Sequence, residues 1–294
     1  MRIINVEKYC FIFGYGYTAS YLAARLAEQG FKIVGTSRDP NQSAYKTNGY
    51  SQLINFYHKD EINSSLRQAS HLLISIPPNK GTDPVIACYG DELLKLKHRR
   101  LAWVGYLSTT GVYGDHQGAW VDEDSPSKAL SSHGSARLKA EHEWIDLAQD
   151  HFDIHLFRLA GIYGPYRNAL SNIINGKSSV IYKEGHYFSR IHVGDIVKII
   201  MASVNKPNPG SIYNVADDLP APSHEVEQFA VQLLNRNPLP LVPFNQALLS
   251  PMAREFYKAN RKVSNKKVKQ ELGIELDYHN YQQGLTQLLQ NGEY

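Results

Sequence analysis

Gly14, Gly16 and Ala19 have types and a spacing that could bind a pair of phosphates. They form Gly-x-Gly-x-x-Ala directly after the apolar run Cys10 to Phe13. A strand that ends in such a turn feeds a helix whose first N–H groups and positive dipole end face an anion. Gly14 permits the tight turn, Gly16 lets the backbone approach a pyrophosphate, and Ala19 lets the helix pack closely on the strand. Tyr15, Tyr17 and Thr18 complete the loop and would line a dinucleotide held there. The helix is predicted over Thr18 to Gln29, with Leu22, Ala23 and Leu26 inward and Gly30 as its stop. The glycine spacing also occurs in purely structural turns; its place between strand and helix favours the dinucleotide reading.

The next strand, Phe31 to Thr36, leads into Ser37 and Arg38. A site for NAD usually carries Asp or Glu there, bonded to the ribose hydroxyls. A carboxylate would repel a 2′-phosphate, whereas a guanidinium pairs with it and a hydroxyl can donate to it. The expected cofactor is therefore NADP(H), with NAD(H) possible. The alternative is that Arg38 is a solvated loop charge ahead of Asp39-Pro40.

The elements around these residues are those of a globular protein. In 294 residues, 43% are hydrophobic and 20% charged. With 31 basic against 28 acidic residues, the balance gives no reason to expect nucleic acid. The basic run Lys95 to Arg100 is expected to complement a helix C-terminus. Two separated cysteines, Cys10 and Cys88, fit a reducing compartment. No apolar run reaches membrane-spanning length, and the chain starts without a signal-peptide pattern, so the expectation is a cytoplasmic protein without a membrane partner. The 12 histidines are scattered. His151 and His155 would share one face of a strand without a third ligand, and no metal is expected.

Apolar runs alternate with helical spacers. Strands are predicted at Gln52 to Tyr57, His71 to Ile76 (cut by Pro77-Pro78), Arg100 to Leu107, Phe152 to Leu159 and Ser211 to Val215. Helices are predicted to end near Leu96 and to run from Ser132 to Gln149, the latter with Leu138, Ile145 and Leu147 inward. This alternation predicts an α/β fold with a doubly wound parallel sheet of the Rossmann type. Residues 1–160 and about 190–216 would form the dinucleotide-binding domain. Shorter pieces rich in Gly, Pro, Asn and Tyr, about 161–189 and 217–294, would form a smaller substrate-binding domain.

The segments Gly105-Tyr-Leu-Ser-Thr-Thr-Gly-Val-Tyr-Gly114, Phe157-Arg-Leu-Ala-Gly-Ile-Tyr-Gly-Pro165, Arg190-Ile-His-Val-Gly-Asp195 and Ile212-Tyr-Asn-Val215 stand in a telling order. Through them the chain resembles the extended short-chain dehydrogenase/reductase family, which includes the nucleotide-sugar epimerases and dehydratases. The stretch Asn260-Arg-Lys-Val-Ser-Asn265 to Glu271-Leu-Gly273 is similar to that family's C-terminal segment. The glycine loop departs from the family's usual form, whose glycines are spaced three apart. The resemblance implies an oxidoreductase or epimerase acting on a nucleotide sugar or another small carbonyl or alcohol compound, and a possible homodimer.

Family members use a Ser or Thr to hold the substrate oxygen, a Tyr to pass a proton, and a Lys to hold the nicotinamide ribose. Aligned on Val-Tyr-Gly, the hydroxyl position is Thr109, with Ser108 beside it on the cofactor side and Thr110 toward the substrate. The Tyr and Lys, four apart on a helix, would share a face. In Ser131-Ser-His-Gly-Ser-Ala-Arg-Leu-Lys-Ala-Glu141 they align with His133 and Arg137, or in a second register with Ser135 and Lys139. Neither register holds a tyrosine. Histidine can serve as general acid or base near neutrality, and arginine can hold ribose hydroxyls. The alternative is a catalytically silent module that binds NADP(H) or senses its redox state. Tyr113, a conceivable substitute phenol, is expected to pack. Ile76 and Pro77 would line the adenosine or ribose side of the cofactor. Arg190, Arg261 and Tyr163 would face the substrate, although each also suits a salt-bridge or packing role.

Overall fold

The computed structural model describes residues 8–294 apart from 46, 48, 80, 97–100 and 150. In chain order, its elements begin with β1 (Tyr9–Phe13), α1 (Tyr17–Glu28), β2 (Lys32–Ser37), β3 (Ser51–Asn55), α2 (Lys59–Gln68), β4 (His71–Ile74), α3 (Pro84–Leu94) and β5 (Trp103–Thr109). There follow β6 (Trp120–Val121), α4 (Ser132–Ala148), β7 (Ile154–Leu159), β8 (Gly161–Tyr163), α5 (Ala169–Ile174), β9 (Val180–Tyr182), β10 (Arg190–His192), α6 (Val193–Asn205) and β11 (Ile212–Val215). The chain ends with α7 (Ser223–Leu233), β12 (Leu241–Pro243), α8 (Pro251–Phe256), β13 (Lys262–Val263), α9 (Lys266–Leu272) and α10 (Tyr281–Gln290).

Seven strands form one parallel sheet in the order β11-β7-β5-β4-β1-β2-β3. β1, β5 and β7 are almost wholly buried, as parallel strands covered on both faces must be. The chain winds outward from β1 to β3, then returns to β4 and winds the other way. That reversal falls between β1 and β4, and the strand ends on its two sides are where an open α/β sheet takes a ligand. β1 pairs with β4 in register Phe13↔Ile74, so the turns that follow them start level.

The chain divides into two compact units. The first comprises the described residues through Ser108 with Ala136–Arg158 and Val197–Tyr213. Its core includes Phe11, Phe13, Ile74, Tyr106 and Trp144. The second comprises Thr109–Ser135, Leu159–Ile196 and Asn214–Tyr294. Its core gathers Tyr163, Leu170, Val226, Leu285 and Leu288 from β8, α5, α7 and α10, beside the two-stranded pairings β8–β10, β9–β12 and β6–β13.

Several boundaries differ from the sequence expectations. The start of the strand predicted at Arg100, and four residues of the basic run, lie outside the described residues. Lys95 follows α3 and pairs with Glu92 at 2.6 Å. The inward face predicted for α4 holds at Leu147, which packs against the core, and needs correction at Ile145. Ile145 is 37% exposed, whereas Ala140, Glu141, Trp144 and Ala148 are buried. A charged residue on the buried face displaced the apolar stripe by one position, and hydropathy alone places such a residue outside. His151 lies in the turn ahead of β7, so it does not share a strand with His155. The His155 ring is held between the Val104 carbonyl and the Asn208 N–H. Among the described residues no helix is long and apolar enough to cross a membrane, and no group of three or more His, Cys, Asp or Glu is placed to hold a metal ion.

Candidate functional site

The turn after β1 is built on Thr36. Its hydroxyl accepts from the Gly14 N–H at 2.9 Å and its carbonyl from the Tyr15 N–H at 2.8 Å. Gly14 has φ +92°, and a Cβ there would stand 2.7 Å from Ile76 Cγ1 and 3.1 Å from the Ile76 nitrogen. Only glycine combines that dihedral with that closeness. The two turns at the sheet's reversal, after β1 and after β4, thus touch at Gly14 and Ile76. Gly16 differs: a Cβ built on it meets nothing within 4 Å. It precedes α1, whose N-terminus has no side-chain cap and no acidic residue in its first turn. Such an end offers N–H donors to an anion.

The flanking side chains have distinct places. Tyr15 is buried over Gly35, with its phenol 3.3 Å from the Ser51 hydroxyl, and burial pushes that phenol up. Toward a ligand it therefore offers backbone. The Tyr17 ring lies 5.2 Å from Tyr21 and 6.3 Å from Tyr45, while Thr18 and Ala19 are buried. Pro77 is exposed. At the end of β2 the Ser37 hydroxyl donates to the Asp39 carbonyl at 3.1 Å. Arg38 is exposed, and its guanidinium has no hydrogen bond or ion pair among the described residues.

The end of β5 meets α4 through buried polar groups. Ser108, 4% exposed, donates to Glu141. Glu141 pairs with Arg158 at 2.8 Å, and both are buried. Arg137 donates through Nη1 to the Leu107 carbonyl at 2.5 Å and to the Tyr106 hydroxyl at 3.3 Å, with its guanidinium 5.6 Å from the Tyr106 ring centre. Burial raises the Tyr106 phenol well above its ordinary value, and Arg137 partly opposes this. Asp83 caps α3 by accepting from Val85 and Ile86, and its other oxygen accepts from Trp144 Nε1 at 3.0 Å. Burial pushes its carboxyl up.

Thr109 accepts from the Gly111 N–H at 3.1 Å, and the buried Thr110 opens the 3₁₀ turn Thr110–Tyr113. Gly134 lies against this turn, where a Cβ on it would be 2.8 Å from the Gly111 oxygen. His133, its neighbour, is exposed. Of the two possible basic residues on α4, Arg137 reaches β5. Lys139 instead donates to the Gly81 carbonyl at 3.0 Å and lies 3.4 Å from Glu143. Ser135 bonds the Ala129 carbonyl. Tyr113 packs, fully buried, with its hydroxyl donating to Asn214 at 2.7 Å.

In the second unit, Arg190 donates to the Phe188 and Ala221 carbonyls, both at 2.9 Å. Burial pushes its pKa down, and Asp217 opposes that. Arg261 donates to the Gly114 carbonyl at 3.0 Å, while its Nε is buried without a partner among the described residues and burial lowers its pKa to about 10. Tyr163 is in the core, with Gly284 against its ring. The sequence reading missed Asp83, Tyr106, Glu141 and Arg158. Asp83-Pro84 is a helix-start signal. The other three carry no local signal, because their partners come from distant segments.

The model of the NAD dependent epimerase/dehydratase family matches residues 90–216. A solved structure of a functionally unknown conserved protein from Silicibacter pomeroyi is 43% identical, with a TM-score of 0.91 over 98% of this chain and 100% of that one. A dTDP-glucose 4,6-dehydratase from Bacillus anthracis in complex with NAD has 16% identity and a TM-score of 0.74 over 96% of this chain and 95% of its own. A human epimerase family protein with NADPH has 16% identity and a TM-score of 0.75 over 96% and 99%. The last two share the fold. No curated protein matches the chain.

Proposed function

We propose, from the match of the NAD dependent epimerase/dehydratase family model to residues 90–216, that the chain is an NADP(H)-binding oxidoreductase or epimerase/dehydratase-like enzyme. Its substrate would be a nucleotide sugar or another small carbonyl or alcohol compound. The observation that carries the cofactor half is the open space at Gly16 before an uncapped helix N-terminus, with the unengaged guanidinium of Arg38 at the end of the next strand. The backbone from Gly14 to Thr18 would hold the pyrophosphate, Ser37 and Arg38 the 2′-phosphate, and Ile76 and Pro77 the adenosine or ribose side. The nicotinamide, when bound, supplies a hydride acceptor or donor.

The chain's own side chains have separable tasks. Thr109 Oγ1 accepts from Gly111, so its O–H remains to donate to a substrate oxygen. His133 would move the proton at that oxygen. That role is supported by the neighbouring Gly134, which lies against Gly111 in the turn that Thr109 caps. Arg137 commits Nη1 to β5, which leaves the Nε and Nη2 donors for ribose hydroxyls. The proton-moving residue is tested by turnover of NADPH against a panel of carbonyl compounds. Turnover in the wild type that is lost in His133→Ala supports the reading; unchanged turnover removes His133 from the mechanism.

A second reading, a silent NADP(H)-binding or redox-sensing module, is favoured by the anchoring of Arg137 to the protein's own backbone. Tight, redox-selective binding of NADPH with no turnover across the panel would select it.

A further inference from the structure

We infer that Asn55 is a positioning residue for cofactor selectivity, fixing the main chain that carries Arg38; this rests on the NADP(H) reading. β2 and β3 pair with Ser37 opposite Asn55. Beyond that pair the chain leaves the sheet, and an exposed basic side chain on a free loop would sample many positions. Here three successive carbonyls are engaged. The Ser37 carbonyl accepts from the Phe56 N–H at 2.9 Å, the Arg38 carbonyl from Asn55 Nδ2 at 2.8 Å, and the Asp39 carbonyl from the Ser37 hydroxyl at 3.1 Å.

Asn55 holds its own orientation through its second arm, as Oδ1 accepts from the Tyr57 N–H at 2.8 Å. Only one orientation of the amide satisfies both neighbours, because one is a donor and the other an acceptor. Asp39, the carboxylate nearest in sequence to Arg38, caps the 3₁₀ turn Pro40–Gln42 by accepting from Asn41 at 3.0 Å. It makes no ion pair with Arg38 among the described residues. The loop is thus ordered at its backbone while the Arg38 guanidinium has no hydrogen bond or ion pair among the described residues. A phosphate bound there would meet a guanidinium whose attachment point is already fixed, which lowers the ordering cost of binding.

The residue type at position 55 also matters. An aspartate could still accept from Tyr57 but could not donate to Arg38, and its charge would stand opposite Ser37. Asparagine supplies both bonds without repelling a dianion.

The test is fluorescence titration of NADPH and NADH on the apo protein. The variants are Asn55→Ala, Asn55→Asp, Arg38→Ala and the Arg38→Ala/Asn55→Ala double variant, each checked for an unchanged unfolding transition. One lost hydrogen bond that acts through Arg38 predicts about three- to tenfold weaker NADPH binding in Asn55→Ala, with NADH within about twofold. Asn55→Asp is expected to bind NADPH more weakly still. On the Arg38→Ala background, Asn55→Ala should change NADPH affinity by less than about twofold, because coupled residues do not add. Equal losses for both cofactors, an undiminished Asn55 effect without Arg38, or wild-type NADPH affinity in Asn55→Asp would overturn the inference while leaving the NADP(H) reading intact. Equal NADPH and NADH affinities in the wild type would overturn both.

Discussion

Gly14 and Gly16 sit two residues apart in one loop, yet alanine should harm them in different ways. At Gly14 the φ of +92° costs an L-residue about 1–2 kcal/mol. The added Cβ would also stand 2.7 Å from Ile76 Cγ1, 3.1 Å from the Ile76 nitrogen and 3.3 Å from the Ser75 carbonyl carbon. The side-chain atom can rotate away, but the two backbone atoms belong to the turn after β4. Overpacking of that kind adds about 1–3 kcal/mol, and restriction of the unfolded chain returns about 0.4–1 kcal/mol. Gly14→Ala should therefore lose about 2–4 kcal/mol of stability. Gly16 has φ −104° and open space, so Gly16→Ala should fold as well as the wild type or gain about 0.4–1 kcal/mol. Its methyl group would enter the space assigned to a pyrophosphate, at a cost of about 1–3 kcal/mol, or roughly 5- to 150-fold in affinity. Urea unfolding of the apo proteins and NADPH titration by fluorescence separate the two effects. Wild-type NADPH affinity in Gly16→Ala would refute the placement of the cofactor on this loop, and a stability loss equal to that of Gly14→Ala would refute the open space at Gly16.

His192 is buried between Tyr163 and Tyr278, with its Nδ1 accepting from the Gly194 N–H, and burial holds its pKa down to about 4. Below the ordinary value near 6.5 the unfolded chain binds a proton that the native ring refuses until about pH 4, so stability falls with pH across that window. The ring should contribute a loss of about 2 kcal/mol between pH 7.5 and 5, which His192→Asn removes while keeping an acceptor for Gly194. The buried Asp217, raised well above its ordinary value, acts with the opposite sign in both proteins and cancels in the comparison. Equal pH slopes of urea-unfolding stability would contradict this. Glu141→Ala should cost about 3–5 kcal/mol, because the buried Arg158 loses its carboxylate and Ser108 its acceptor. A loss below about 1 kcal/mol in urea unfolding would show that the pair contributes little.

The loop that joins β1 to α1 was legible because its signals are local. An apolar run, two glycines and an amphipathic helix follow one another within about twenty residues, and each constrains the next. The strand order could be anticipated as a class because alternating elements admit few arrangements. Side-chain pairing was not legible where it joins distant segments. Glu141 reads as a solvated helix charge until Arg158 from β7 and Ser108 from β5 arrive beside it. Once they do, the charge is worth burying, and Ile145 turns outward. Asn55 is similar: an unremarkable polar residue at a strand end, it gains meaning from the carbonyl of a residue 17 positions earlier.

Arg137 and Lys139 differ in both place and chemistry: the first bonds β5 and the second the Gly81 carbonyl. A lysine four residues after a proton donor would present one compact charge on a flexible stem. Lys139 has that chemistry, but two residues further along a helix its side chain leaves the face that meets β5, and it bonds Gly81 instead. Arg137 has the right place and a different fork. Its Nη1 spans the Leu107 carbonyl and the Tyr106 hydroxyl, a pair that one ammonium on a shorter stem would struggle to bridge. Two of its five N–H groups are thereby used to orient the other three. Lysine at this position would hold a ligand through a mobile point charge, whereas arginine would hold it through a fork already fixed by β5. A fixed fork favours binding a cofactor in one pose. It does nothing by itself to move a proton, so that task falls to His133 or to no residue of this helix.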